Sequence, residues 1–222
     1  MRMNVYEAVA SRQAIRKFAS TPVPRAVLDR VFTAAARAPS GGNLQPWTIF
    51  VLTGASFARL KRGIAERIAA CDPGDAAEFA MDPPSLKSPY RERRALTAEK
   101  RYAAMGIVRD DMQARAEAVR ANWEGFGAPA ALFCYIDRSM GPPQWADVGM
   151  YLQTVMLLLR EEGLHSCAQM AWTVYRSSVA EVVSPPADLM LYCGMSFGFK
   201  DVTATHFRSD RAPLAETVTF LD

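Results

Sequence analysis

Arg12 and Arg16 stand four residues apart, just after Ser11. On a helix, or on its fraying end, that spacing puts both on one side. Two guanidiniums held together repel each other unless an anion sits between them. A phosphate dianion is the best match, because arginine forks bind it through paired hydrogen bonds. Each charge-assisted bond contributes about 1.5–3 kcal/mol net. The same spacing also serves two solvent-facing arginines on a surface helix. A second cluster is Ala38-Pro39-Ser40-Gly41-Gly42-Asn43-Leu44-Gln45-Pro46-Trp47. Its glycines allow positive φ and a close approach of backbone to a ligand. Asn43 and Gln45 each offer a donor and an acceptor, as contact with a polar heterocycle or polyol requires. On composition alone it is equally an ordinary helix-to-strand loop.

These clusters need elements to hold them. Asn4-Val5-Tyr6-Glu7 has the form of a capping box, so a short helix is expected to about Ser11. Thr21-Pro22-Val23-Pro24 is a rigid loop. Val27, Leu28, Val31, Phe32 and Ala35 recur at helical spacing and predict an amphipathic helix from Arg25 to Ala38, stopped by Pro39. Trp47–Leu52 reads as a buried strand. Ser56 reads as the cap of a helix with Phe57, Leu60, Ile64 and Ile68 on its apolar face. From Cys71 to about Tyr90 the pattern dissolves into a long ordered loop or lid, marked by Pro73, Gly74, Pro83, Pro84 and Pro89. Arg91 to Asn122 reads as two charged, weakly amphipathic helices broken near Gly106. Trp123 and Phe126 follow in a glycine-rich setting, either as core or as a substrate wall.

The second half is more apolar. Ala130–Ile136 is a strand. Pro142-Pro143 precedes a helix over Gln144–Glu162 that is apolar nearly all round, hence a buried central helix, ended by Gly163. Leu164–Trp172 reads as a short strand and loop. Ser177 or Ser178 caps a helix to about Val183, and Leu189–Ser196 is a strand ending at Gly194 and Gly198. The tail carries His206, Arg208 and Arg211. Val218 and Phe220 then alternate like an edge strand without a partner in sequence, available to a second chain.

The totals bound the function. With 222 residues, half of them apolar and 22% charged, the chain has globular composition. A net charge of +3 is too mild for a nucleic-acid partner. Lys87, Arg91, Arg93, Arg94, Lys100 and Arg101 cluster, but Glu92 and Glu99 interrupt them. They read as a solvated helix face or as a guard for anionic substrates. The four cysteines, Cys71, Cys134, Cys167 and Cys193, are scattered and suggest no disulfide framework. Glu7 and Arg12 interrupt any signal-peptide core, and no apolar run approaches a bilayer span, so the cytoplasm is expected and a membrane is not.

Four motifs recur in one order: S-R-x-x-x-R at Ser11, Arg12 and Arg16; A-P-S-x-x-N-x-Q-P-W from Ala38 to Trp47; G-L-x-S-C-x-Q from Gly163 to Gln169; and F-R-x-x-R-A-P-L from Phe207 to Leu214. Together they resemble the nitroreductase family of FMN-dependent oxidoreductases, nearest its bacterial nitrobenzoate and nitroaromatic branch. The resemblance implies an α+β fold of three layers, with a small mixed, mainly antiparallel sheet flanked by helices. It implies one domain over residues 1–222, with about 71–127 as a lid and substrate-pocket excursion. It further implies an intertwined homodimer, with two tightly held FMN at the interface and C-terminal strands exchanged. Arg12, Gln13, Ala14 and Arg16 would meet the phosphate and ribityl chain, completed by Arg208 and Arg211. Pro39, Ser40 and Asn43 would reach in from the other subunit. The backbone of Gln169, Met170 and Ala171 would face the isoalloxazine, with the Ala171 N–H near N5 and no side chain in a catalytic role. Trp123, Phe126, Tyr90 and Tyr102 are candidates for shaping the substrate pocket. Two departures from the family pattern stand out. Gln13 and Ala14 replace the usual middle residues of the first motif, and Met170 stands where relatives carry an acidic residue or glycine.

The implied chemistry is reduction of a nitroaromatic by NADPH or NADH through one shared site, hence ping-pong kinetics. No G-x-G-x-x-G is present, which fits transient nicotinamide binding. The lack of H-E-x-x-H and of C-x-x-C disfavours a zinc enzyme. Three other readings remain: reduction of flavins, quinones or enones on the same scaffold; a flavin sensor or store without turnover; and a basic interaction module that uses residues 87–101 on an acidic partner.

Overall fold

The structure is a computed structural model and describes residues 3–221. In chain order its elements are α1 (Val5–Ser11), α2 (Arg25–Ala35), β1 (Thr48–Thr53), α3 (Gly54–Ala69), α4 (Tyr90–Ala104), α5 (Met112–Arg120), β2 (Ala130–Asp137), α6 (Pro142–Glu161), β3 (His165–Gln169), α7 (Arg176–Val183) and β4 (Leu189–Gly198). The strands form one sheet in the order β1-β2-β4-β3, and every pairing is antiparallel. A bridge from Ala14 to Ser166 adds a parallel contact beyond β3.

β2 explains the layering. Successive side chains of a strand point to opposite faces. Ala130, Leu132, Cys134 and Ile136 enter one core with α2 and α6, while Ala131, Phe133 and Tyr135 enter another with α3 and α7. A strand buried on both faces reads as a continuous apolar run, as this one does. The expected α+β plan of helices on both sides of a small sheet is therefore present.

Several boundaries differ from the expectation. α1 ends at Ser11, and Arg12 is already extended with ψ 126°. Arg12 and Arg16 thus lie beyond the helix, with Arg16 at a bend. α2 stops at Ala35, because the N–H groups of Arg37 and Ala38 bond back only three residues and tighten the last turn. β1 is an edge strand with Leu52 alone fully buried, not a buried one. Thr53, not Ser56, precedes α3, and the Ser56 hydroxyl instead donates to the Thr53 carbonyl. β4 runs through Gly194, because the Trp172 ring lies where a Cβ would stand. The tail forms no strand within its own chain, and Phe220 and Leu221 are exposed.

α7 starts at Arg176, and its first turn is capped from a distance. Asp75 accepts the Ser177 N–H at 2.7 Å and its hydroxyl at 2.9 Å. Arg67 on α3 holds Asp75 at 2.8 Å and Asp72 at 2.7 Å, and donates to the hydroxyls of Ser177 and Ser178. This fork ties the root of the irregular 71–89 stretch to two helices. α4 and α5 beyond it contain no buried residue, so the excursion depends on its two ends for placement.

Burial pushes the Asp75 carboxyl up, but Arg67 and the Ser177 donors outweigh it and hold the group below its ordinary value. Its stabilisation is therefore complete above the unfolded carboxylate value of about 3.9 and is lost as pH falls through the lower folded value. Arg67→Met should speed proteolytic cutting within 71–89 at pH 7 by about tenfold, the effect of about 1.4 kcal/mol of easier local opening. Equal cutting rates in limited proteolysis would show that the fork does not hold the excursion.

Candidate functional site

Residues 12–19 are threaded between β3 and the chain that leaves β4. The Ile15 N–H bonds the Ser166 carbonyl at 3.2 Å, the Phe18 N–H the Phe126 carbonyl at 3.1 Å, and the Ala19 N–H the Phe199 carbonyl at 2.9 Å. Ile15 and Phe18 anchor the segment in a small core with Phe126, Ala128 and Cys167. From the other end of the sequence, Arg208 donates to the Ala10 carbonyl at 2.6 Å. The tail arginines are thereby brought to the first motif.

The electrostatics of this junction are one-sided. Burial, then Arg211 and Arg208, lower the Arg12 pKa. Arg12, Arg208 and Arg211 make no ion pair with a carboxylate among the described residues, and the last two bond only backbone carbonyls. Burial pushes up the Cys167 thiol, against the pull of Arg16, Arg101 and Arg12. Three mutually repelling cations without a counter-charge suit a phosphate dianion, so the residues present fit the phosphate end of FMN. Gln13 is half-buried beside them, and Ala14 forms the bridge to Ser166.

The turn after β3 is rigid. Gln169 is buried, and its side chain is fully engaged: it donates to the Asn122 carbonyl at 2.7 Å and accepts from the Ser196 hydroxyl at 2.6 Å and the Trp172 indole at 3.2 Å. It has only backbone to offer a ligand. The Met170 carbonyl accepts from the Thr173 hydroxyl at 2.8 Å, and the Ala171 carbonyl from the Trp123 indole at 2.9 Å. Trp123 packs edge-on against Tyr175 at 5.2 Å, so it secures this turn as well as flanking it. His165, buried on β3, is pushed down to about 4 by burial, then by Arg160, Lys200 and His206, and is neutral at pH 7.

A cavity of about 710 Å³ opens beside the first motif. Its wall includes Ala14, Arg16, Arg101 and Phe126 with the tail residues Thr205, His206 and Phe207. Phe126 is both core and wall, and it holds a left-handed φ of 55° between Gly125 and Gly127. Gly125 has no room for a side chain against Phe57 and Ser196. Tyr90 is exposed at the start of α4. Tyr102 lies under the guanidiniums of Arg101 and Arg115.

Pro39, Ser40 and Asn43 stand elsewhere. Their loop is fastened to α6, where buried Asp147 accepts the Gly41 N–H at 3.2 Å, and Ser40 accepts the Gln45 N–H at 2.9 Å. Among the described residues no hydrogen bond joins this loop to Arg12–Arg16 or to Gln169–Ala171. Sequence reasoning missed Arg101, Thr173 and the Gln169–Ser196 bond. Of these only Arg101 had a signal, as a member of the basic cluster.

The Nitroreductase family model matches residues 9–199. The chain is 36% identical to a 4-nitrobenzoate reductase of Pseudomonas putida, over 89% of this chain and 86% of that one. It is 29% identical to a nitrobenzene nitroreductase of Ectopseudomonas oleovorans, over 97% and 96% respectively. Among solved structures, the FMN and NADPH-dependent nitroreductase NfnB of Sphigopyxis sp. strain HMH superposes with a TM-score of 0.94, at 41% identity, covering 99% of this chain and 100% of that one. NfnB of Mycobacterium smegmatis, solved in complex with NADPH, gives 0.92 at 30% identity, covering 98% and 97%.

Gln169→Leu should destabilise the fold by about 1–3 kcal/mol, because the buried Trp172 N–H and Ser196 hydroxyl lose their acceptor. Urea unfolding would read the loss, and an unchanged midpoint would show that water replaces the amide.

Proposed function

This chain belongs to the nitroreductase family, and from that premise we propose that it is an FMN-dependent enzyme that reduces nitroaromatic compounds with NADPH or NADH. The observation that carries the reading is the meeting of Arg12, Arg208 and Arg211, none of which makes an ion pair among the described residues, where nearby Asp210 is taken by Lys100. Bound FMN supplies two-electron redox chemistry between a nicotinamide and a nitro group. The three arginines and Arg16 hold its phosphate and ribityl end. The peptides of Gln169, Met170 and Ala171 face its ring, and the Ala171 N–H lies near N5. Thr173 and Trp123 fix the carbonyls of Met170 and Ala171, so the N–H groups of this turn keep their aim. No side chain is assigned the role of general acid. A nicotinamide and a nitroaromatic use the same open face in turn, which gives ping-pong kinetics.

The active form is a homodimer. α6 buries Val148, Tyr151, Leu152, Val155 and Leu159 but leaves Gly149, Met150 and Gln153 exposed, an open face on an apolar helix. α1 likewise exposes Val5, Tyr6 and Val9. A groove of about 320 Å³ runs beside the free edge of β1, lined by Leu28, Phe32, Ile49, Val51 and Tyr151. The exposed Val218, Phe220 and Leu221 of a second copy suit it. In that assembly Pro39, Ser40 and Asn43 reach the partner's flavin. The excursion over 71–127 serves as the lid of a single domain, with Trp123, Phe126, Tyr90 and Tyr102 bordering the substrate. Among the described residues no helix is long and apolar enough to cross a membrane. The cytoplasm suits the four free cysteines.

The test is the visible spectrum of FMN-loaded protein under anaerobic conditions. NADPH or NADH should bleach the flavin, and a nitroaromatic should restore the colour. A bound flavin that neither donor bleaches would contradict the reading and favour a flavin sensor or store.

A further inference from the structure

Arg101 and Arg115 differ from their neighbours. Along α4 the other basic side chains are neutralised: Arg91 by Glu92 at 2.7 Å, Arg93 by Glu216 at 2.8 Å, Arg94 by Asp82 at 3.0 Å, and Lys100 by Asp210. Arg101, next in sequence to Lys100, has no ion pair or side-chain hydrogen bond among the described residues, and neither has Arg115 on α5. Their Nε atoms are buried without an acceptor. Yet both side chains are held in place, with their guanidiniums over the ring of Tyr102 at 4.7 and 4.5 Å from its centre. Two cations fixed against one aromatic ring by cation–π attraction, with hydrogen-bonding capacity unspent, form a preorganised receptor for a planar or tetrahedral oxyanion.

The position gives the receptor a use. Arg101 lines the 710 Å³ cavity with Arg16 and His206. The acids on the cavity wall do not neutralise it. Glu117 accepts from Gln113, Asp201 accepts from Thr203, and Glu124 faces Lys61. Arg115 stands behind Arg101 on the same ring, and Arg101 is the member of the pair on the cavity wall beside the first motif.

We propose that Arg101 and Arg115, stacked on Tyr102, bind an oxyanion carried by a reactant, either the carboxylate of an aryl substrate or the 2′-phosphate of the nicotinamide donor. This rests on the flavin-site reading above. The pair is a specificity device for the charged group and does not touch the reacting atoms. It also explains why Tyr102 is held under cations rather than left open as a stacking face.

The experiment is a binding titration of the FMN-loaded protein, without turnover, using 4-nitrobenzoate against 4-nitrobenzamide and NADP⁺ against NAD⁺. Wild type should prefer the charged member of one pair by about tenfold or more, and Arg101→Gln/Arg115→Gln should abolish that preference. A preference for 4-nitrobenzoate assigns the aryl carboxylate, and a preference for NADP⁺ assigns the 2′-phosphate. No preference in wild type, or a preference unchanged in the double variant, overturns the proposal. So does loss of FMN from the double variant with the preference intact, which would give the pair to the cofactor phosphate. Arg101→Lys/Arg115→Lys keeps the charge and should retain part of the preference, which separates recognition from misfolding. Flavin bleaching by NADPH or NADH, measured on the same wild-type sample, reports on the flavin-site reading independently.

Discussion

The site depends on holding like charges together. Arg12, Arg208 and Arg211 come from opposite ends of the chain, and nothing among the described residues neutralises them. Like charges brought near one another repel, so this arrangement has to be held in place. The fold resists the repulsion with backbone bonds. Residues 15, 18 and 19 are laced to β3, to the turn at Phe126 and to the chain beyond β4, and Arg208 is tied to the Ala10 carbonyl. A dianion bound there would relieve that repulsion, as the proposed phosphate site requires.

A second constraint fixes the turn that follows β3. The Gln169 amide links Asn122, Ser196 and Trp172, so the end of the excursion, the central strand β4 and the turn cannot move independently. Gly194 makes room for Trp172 by having no side chain, and the strand is continuous because of that gap rather than broken by it. The Arg67 fork does the same at the other root of the excursion. Between these two anchors α4 and α5 lie on the surface, which lets them carry charged groups towards the cavity without disturbing either core.

Much of this was legible in the sequence where one principle acts alone. The apolar run of β2, the spacing of Leu28, Val31 and Ala35, the capping box at Asn4 and the stop at Gly163 each report a local rule, and each appears as expected. The four motifs pointed to the proposed site residues, though not to their company. Ser177 looked like a cap because caps are usually local, whereas its N–H is taken by Asp75, distant in sequence. β1 looked buried because its composition is apolar, and only the sheet order shows that it has a free edge. Arg101 belonged to a cluster that reads either as a solvated face or as a guard for anionic substrates, since a sequence lists cations without saying which lack an acid. The loop from Pro39 to Asn43 could not be joined to the arginines from one chain at all, in sequence or in structure, because its proposed place is across a subunit boundary.

The most direct measurement is an equilibrium titration of the flavin-free protein with FMN and with riboflavin, which carries the same ring and ribityl chain without the phosphate. Three arginines that await a dianion predict FMN binding tighter by about a hundredfold or more, with the difference shrinking as salt is raised. Equal affinity for the two flavins would mean that the gathered arginines serve another anion, and the account of this site would fail at its base.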